Sequence, residues 1–328
     1  MRLLTMAKND PVEAALARLG ELRQSADPMA SAAHLQRFLR HRSNLVVAKA
    51  AKVARELGSF SLLSDLVDAF NRFMADAPRL DRRCAAVTEI AISLHEFDYH
   101  DPAPYLAGLR HVQLEASYGP PVDEGAKLRA ICAQGLLRTR YPDALRDVLP
   151  LLVDPEPAAR IGAVRALATN GGKSGTLLLR LKILTGDEEP AVLGECFSGL
   201  LAAAPESSLH FVAGYIDAAD DAIAEAATLA LGDSRLPAAC QILREKWSRT
   251  VRLHTRQTLL AAMAASRLDD AIAFLVELVE SANVQTVSAA LDALSIFRGN
   301  DRVRTMISEA VEKRGHQQLT ERFRSGFS

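Results

Sequence analysis

The chain has 328 residues, of which 49% are hydrophobic and only 5% aromatic, and its 39 Lys and Arg against 40 Asp and Glu give a formal net charge of -1. This balance excludes a global electric field that would attract nucleic acid or an anionic membrane. No run approaches the roughly 20 apolar residues of a membrane-spanning helix. Residues 1–10 lack the apolar segment of a signal peptide, so we expect a cytoplasmic protein with Met1 or Met6 as its native start.

Apolar residues recur with helical spacing through the first part of the chain. The predicted helices cover residues 11–25, 28–41, 44–57, 61–75, 79–95, a segment from about 102, and 123–138. Between the last two, residues 113–121 form the longest stretch that resists a helical assignment. Tyr118, Pro120 and Pro121 within it could form a rigid recognition edge, or the stretch could be a tolerated surface loop.

The clearest motif is residues 154–167, where an Asp/Pro turn runs into an Ala-rich amphipathic helix. Matching helix positions recur about every 32 residues, a period typical of stacked helix pairs. The leucines that define this column are Leu136, Leu167, Leu200, Leu231, Leu259 and Leu294. Small residues three apart, such as Ala163 with Ala166 and Cys132 with Gly135, are expected to let successive second helices pack closely.

The end of the chain and the cysteines complete this pattern. Residues 301–324 are predicted to form a charged terminal helix or helix pair whose polar outer face caps the array. The cysteines form no CxxC pair and lie in apolar helical contexts, so we expect buried, reduced side chains rather than a disulfide or metal framework. They are Cys84, Cys132, Cys196 and Cys240.

These two-helix units, with Asp and Pro in the turn and Val-Arg or Ala-Arg entering the second helix, resemble the HEAT-repeat family. They look most like its bacterial branch, to which the phycobilin lyase HEAT-like repeats also belong. The resemblance covers about residues 29–297, although Leu193 and Ala224 stand where the motif has Arg. It implies an all-α, right-handed α-solenoid of about eight helix pairs in a single domain 1–328, with helical caps at 1–28 and 298–328.

The resemblance is informative about fold and poor in information about function. We expect a non-catalytic scaffold or adaptor, not an enzyme, that binds another protein on a concave face lined by the second helices. No catalytic, cofactor-binding or metal-binding residue is predicted, and the partner and oligomeric state are left open. The candidate partner-binding residues are Lys52, Arg83, Arg129, Arg165, Arg252, Arg256 and, in the insertion, Tyr118.

Two alternative functions stay open. A lyase-like or metal-binding enzyme subunit is one, but HEAT-like deoxyhypusine hydroxylase uses repeated His-Glu pairs and this chain has only His95-Glu96. Nucleic-acid binding is the other, as in the HEAT-like alkylpurine DNA glycosylases. Its best signal is the basic cluster around Trp247 from Arg244 to Arg256, although acidic runs on neighbouring units would repel phosphates.

Overall fold

The computed structural model describes residues 11–23 and 28–327, and within them the chain is all-α apart from one short β-hairpin. Residues 1–10 and 24–27 of the predicted N-terminal cap, with both possible start residues, lie outside the described part. The chain divides into two compact units, the first ending at Gly171 and the second beginning at Gly172. Each unit is a row of helix pairs, so the predicted helical-repeat fold is confirmed. The superhelical hand, the number of repeats and the single-domain organisation stay predictions.

The first unit contains ten helices and the hairpin within its described residues. They are α1 (Pro11–Leu22), α2 (Pro28–Leu39), α3 (Asn44–Glu56), α4 (Leu63–Met74), α5 (Ala77–Leu80), α6 (Ala85–Glu96), α7 (Pro102–Leu109), β1 (Leu114–Glu115), β2 (Val122–Asp123), α8 (Ala126–Arg138), α9 (Ala144–Val148) and α10 (Pro157–Asn170). Short 3-10 turns at Phe60–Leu62, Arg82–Cys84 and Leu149–Val153 join some of them. The second helices pack on one another in the order α3, α6, α8 and α10, and the first helices α2, α4 and α7 cover them.

The second unit has the same two-layer arrangement. Its helices are α11 (Gly172–Thr185), α12 (Pro190–Ala203), α13 (Pro205–Ala213), α14 (Asp221–Asp233), α15 (Pro237–Arg249), α16 (Leu253–Ser266), α17 (Asp269–Ser281), α18 (Val284–Leu294), α19 (Asp301–Arg314) and α20 (Gln317–Phe327). The even-numbered helices from α12 to α20 form one row, each packed on the next. The predicted terminal helix pair is α19 and α20. Among the described residues, no helix combines the length and the apolar character needed to span a bilayer.

Small residues do bring successive second helices together, and the structure shows this at Gly162, which lies beside the predicted column. A Cβ atom on Gly162 of α10 would lie 2.3 Å from the Cα of Ala130 on α8. Gly135, by contrast, faces the first helix of its own pair, because its Cβ would lie 2.2 Å from the ring of Tyr105 on α7. Gly162, beside the column, therefore allows α8 and α10 to approach, whereas Gly135, within the column, makes room for an aromatic ring.

The predicted helix over residues 79–95 is broken in the structure. Arg83 and Cys84 adopt left-handed backbone angles, with φ of 61° and 48°, so the chain turns between α5 and α6. The cause is Asp81, whose fully buried carboxylate accepts hydrogen bonds from the N–H groups of Ala86 and Val87 at 2.9 and 2.8 Å. These donors belong to the first turn of α6 and have no partner within the helix. Asp81 therefore fixes where α6 starts.

Candidate functional site

The stretch that resists a helical assignment forms an exposed β-hairpin between α7 and α8. Strands β1 and β2 pair antiparallel, with Leu114 opposite Asp123 and Glu115 opposite Val122. Residues 116–122 are all exposed, and the side chain of Tyr118 at the tip is fully open to solvent. The exposed apolar side chains on and beside the hairpin are Val112, Leu114, Tyr118, Pro120, Pro121 and Val122. The hairpin thus presents an apolar tip to solvent.

Asp123 holds the base of the hairpin closed. Its Oδ1 accepts hydrogen bonds from the backbone N–H groups of Gln113 and Gly125 at 3.0 and 2.9 Å, and its Oδ2 accepts one from Arg129 Nη1 at 2.8 Å. Burial alone would raise the pKa of the Asp123 carboxyl. The two N–H donors and the Arg129 guanidinium outweigh burial, so the pKa is lowered and the group is held as a carboxylate.

Arg129 joins this base to the next repeat. Its guanidinium donates two hydrogen bonds to the carboxylate of Asp154, at 2.9 and 2.8 Å, and one to the carbonyl oxygen of His111 at 2.9 Å. Arg129 is only 3% exposed, so the expectation that it faces solvent is wrong. The side chain points between two repeats, where two carboxylates compensate its charge.

A second buried contact ties β1 to the start of α6. The side-chain amide of Gln113, itself buried, donates to the carbonyl oxygen of Asp81 at 2.9 Å and to Glu115 Oε1 at 2.7 Å. The same Glu115 oxygen accepts the backbone N–H of Arg83 at 2.5 Å. Burial raises the pKa of Glu115, but these two donors, with the charges of Arg82 and Arg83, lower it overall. Arg83 thus contacts the hairpin through its backbone, and its side chain is exposed.

The two predicted basic residues of the second unit are engaged within the molecule. Arg252 precedes α16 and forms a bidentate, exposed ion pair with Asp221, at 2.7 and 3.0 Å. The guanidinium of Arg256 lies over the ring of Trp247, 4.3 Å from its centroid. Trp247 meets Phe274 edge-on at 5.4 Å, and Arg244 covers that second ring. Most basic side chains of the cluster proposed to bind nucleic acid thus already contact carboxylates or aromatic rings within this chain.

The remaining predicted residues lie on second helices of the first unit. Lys52 is exposed on α3, and Arg165 is exposed on α10. Neither lies in the hairpin or at its base. The structure therefore places Tyr118 at the tip of the hairpin, the backbone of Arg83 against Glu115 of the hairpin, and Arg129 in the core beneath its base. The other candidates lie on separate helices.

The chemistry-bearing side chains offer no metal site in the described part of the chain, where His, Cys, Asp and Glu form no group of three or more that could hold an ion. His95 of the His-Glu pair is half-buried, and burial followed by the charge of Arg138 lowers its pKa. Glu96 contacts Arg55 at 3.3 Å.

The four cysteines are buried, as expected. Burial raises the pKa of Cys84, and of Cys196, to about 12, which makes these thiols poor nucleophiles at neutral pH.

Sequence reasoning missed Asp81, Gln113 and Asp123, which build the base of the hairpin. A partial signal was present for Asp154, since it belongs to the clearest motif and Arg129 occupies the Arg position of the preceding repeat. Arg160, the Arg of its own repeat, donates instead to the carbonyl oxygen of Asp154 at 2.8 Å. Two successive motif arginines thus converge on one aspartate.

Comparison with known proteins gives matches among solved structures alone, since no protein-family model and no curated protein sequence matches the chain. The complex of CpcE and CpcF of phycocyanin lyase from Nostoc sp. PCC7120 is similar at 14% identity and a TM-score of 0.37, over 76% of this chain and 92% of that chain. The crystal structure of an engineered protein is similar at 16% identity and a TM-score of 0.34, over 99% of this chain and 96% of that chain. The all-α architecture that the resemblance to HEAT-like repeats implies is confirmed by the helices of the structure itself.

The same comparison corrects one expectation. We expected that the chain is not an enzyme, and this is contradicted because a structure of similar fold belongs to a lyase. A likeness at this identity and TM-score assigns no reaction to this chain. The non-catalytic assignment is therefore withdrawn.

Proposed function

We propose that this chain is a protein-binding helical-repeat protein, and that its partner docks on the hairpin between α7 and α8. The observation that carries the proposal is the contrast between the tip and the base of the hairpin. The tip exposes Tyr118 and other apolar side chains to solvent, while the base is held by the buried contacts of Gln113, Asp123 and Arg129. Binding residues commonly lie on loops that a rigid scaffold positions.

The structure of the hairpin base supports a binding role for the hairpin, rather than a role as a simple connection between helices. A loop that only joins two helices can be short, polar and loosely held, because lengthening a surface loop costs little. Here two buried side chains and a guanidinium hold the hairpin against both neighbouring repeats. Such preorganisation lowers the conformational entropy lost on binding. An exposed Tyr on a rigid support is also the kind of side chain that dominates protein interfaces.

The proposed surface includes other predicted residues. Arg83 lies next to the hairpin, and Lys52 and Arg165 lie exposed on the row of second helices in the same unit. We propose these three as the rim of the binding surface. Arg252 and Arg256 are proposed as a weaker contribution in the second unit, because Asp221 and Trp247 already engage them.

Photo-crosslinking tests the proposal directly. A benzophenone-bearing phenylalanine replaces Tyr118 in the full chain, and the chain is irradiated in its native lysate. We expect a defined crosslinked protein that a second substitution, Leu114→Ser, removes. The matched control places the same photoreactive residue at Val251, which is almost as exposed but lies in the second unit. Equal crosslinking from both positions, or none from Tyr118, would show that the hairpin does not bind a partner.

Binding of this kind is compatible with a scaffold and with a subunit of an enzyme. Purified protein that carries a stoichiometric metal or a visible pigment would indicate the enzyme subunit. Nucleic-acid binding has less support, because the densest basic cluster already contacts Asp217, Asp221 and two aromatic rings.

A further inference from the structure

Helix α11, at the start of the second unit, exposes a stripe of leucines. Leu177, Leu181 and Leu184 are 67%, 55% and 68% exposed. Their spacing of four and three residues places them on one face of the helix. The opposite face is covered, because Leu179 and Ile183 are buried where α11 packs on α12. The helix thus has a second apolar face that none of the described residues of this chain covers.

Single exposed leucines are ordinary on protein surfaces, but three in register along one face form a seam typical of helix–helix association. The charged side chain nearest the middle of the stripe is held away from it. Arg180 donates to the carbonyl oxygen of Ser207 and lies over the ring of Phe211, 4.7 Å from its centroid. The centre of the stripe is therefore apolar and free of an intruding charge.

We propose that a second copy of this chain covers the stripe, with the two α11 helices packed antiparallel about a two-fold axis between Arg180 and Leu181. In this register Leu177 faces Leu184 of the partner subunit, and the reverse, as an isologous interface requires. The stripe begins after an exposed lysine, Lys173, and the turn that follows the helix carries an exposed glutamate, Glu188. The same register brings Lys173 towards Glu188 of the partner subunit, once on each side of the axis.

The charges at the two ends favour this arrangement over a parallel one. Parallel packing in register would bring the two Lys173 side chains together at one end and the two Glu188 side chains together at the other. Like charges in such positions oppose pairing, whereas the antiparallel arrangement forms two opposite-charge contacts. The antiparallel homodimer therefore satisfies both the apolar stripe and its flanking charges.

Sedimentation equilibrium of the full chain from about 1 µM to about 1 mM tests for the dimer. We expect concentration-dependent dimerisation that Leu181→Glu weakens by at least about tenfold. The matched control is Leu45→Glu, because Leu45 on α3 is also 55% exposed and lies outside the stripe. This control should dimerise as the wild type does. A monomer throughout this range would overturn the proposal, as would equal effects of the two substitutions.

Charge exchange and crosslinking then test the register. Lys173→Glu and Glu188→Lys should each weaken the dimer, and the double exchange should restore it. A single Leu181→Cys, near the axis, should form an intermolecular disulfide on mild oxidation, because the native cysteines are buried. Leu177→Cys should not, because about seven residues of helix separate the two copies of this position, or roughly 10 Å. Efficient self-crosslinking of Leu177→Cys, or a double exchange that fails to restore dimerisation, would overturn the antiparallel arrangement.

Discussion

Arg129 shows how a residue at a repeated position can acquire a local role. As the motif Arg of its helix, it was expected to face solvent. It lies instead between the hairpin and the next repeat, where its guanidinium donates to the carboxylates of Asp123 and Asp154. Burial lowers the pKa of the guanidinium, but its hydrogen bonds to Asp154 and Asp123 raise it overall, so the charge stays in the core. Such a site specifies where the hairpin sits.

Removing the Arg129 side chain should therefore destabilise the first unit. We expect Arg129→Met to lower the free energy of unfolding by about 3–5 kcal/mol, because it leaves two carboxylates without their buried partner. Urea unfolding followed by circular dichroism measures the loss. Arg252→Met is the control, since Arg252 has the same bidentate geometry with Asp221 on an exposed surface and should cost less than about 1 kcal/mol. Equal losses for both variants would mean that burial adds nothing at Arg129.

For single residues, the sequence predicted which repeat position a side chain occupies better than which residues it contacts. The alignment of repeats placed Arg129 and Arg160 in one column but could not show that both would contact Asp154. Arg129 also contacts Asp123 at the base of the hairpin, which has no counterpart in the repeat pattern. The same limit explains Gly135, because a small residue was expected from the column while its contact with the Tyr105 ring depends on the neighbouring helix.

Two glycines of the second helices provide a matched pair at the scale of elements. A Cβ on Gly162 would lie 2.3 Å from backbone of α8, whereas a Cβ on Gly194 would meet the Cβ of Ala226 at an ordinary 3.5 Å. We expect Gly162→Ala to destabilise by about 1–3 kcal/mol, because α8 and α10 must separate. Gly194→Ala should be neutral or stabilise by up to about 1 kcal/mol through helix propensity.

Thermal or urea unfolding of the two variants gives the comparison. A Gly162→Ala protein as stable as the wild type would show that α8 and α10 do not rely on this close approach.

The hairpin base should respond to acid in a defined direction. The pKa of Asp123 is lower in the folded state than in the unfolded chain, so its contribution to stability is complete above the unfolded value, about 3.9, and is lost as pH falls through the folded value. Asp123→Asn keeps an acceptor but removes the charge beside Arg129. We expect the variant to be less stable than the wild type above about pH 5, with the difference shrinking below about pH 4.

Urea unfolding of the wild type and Asp123→Asn from pH 3 to pH 7 measures this difference. A stability difference that stays constant down to pH 3 would contradict the assignment of the charge.

The helices were largely predictable because hydrophobic periodicity extends over many residues and averages out local exceptions. The predicted helix over 79–95 failed at a single residue, since Asp81 competes for backbone donors and starts a new helix. The hairpin was recognised as non-helical but not as strands, because β1 and β2 have two residues each and their pairing is fixed by Gln113 and Asp123. Contacts of this kind, specific and non-periodic, leave no pattern in one sequence.

At the scale of the molecule, charge is arranged to join neighbouring helices. Pairs such as Lys246 with Asp217, Arg252 with Asp221 and Lys313 with Glu280 connect residues about one repeat apart. With a net charge of -1, little single-sign surface remains to attract a polyanion. The proposed binding surface is instead the apolar tip of the hairpin, so the two candidate modes of binding respond differently to salt.

We therefore expect the affinity for the partner crosslinked at Tyr118 to change by less than about threefold between about 50 and 500 mM NaCl, because apolar burial is weakly affected by screening. Calorimetric titration at both concentrations measures the affinity.

Tyr118→Ser should weaken binding by about tenfold or more, since an exposed aromatic anchor is lost, while stability changes by no more than about 0.5 kcal/mol. Lys52→Glu and Arg165→Glu report on the proposed rim and should act mainly on the association rate. A protein that binds phosphate backbones would instead lose affinity steeply with salt and would tolerate Tyr118→Ser. That result would contradict the hairpin as the binding surface and would assign binding to the basic cluster around Trp247.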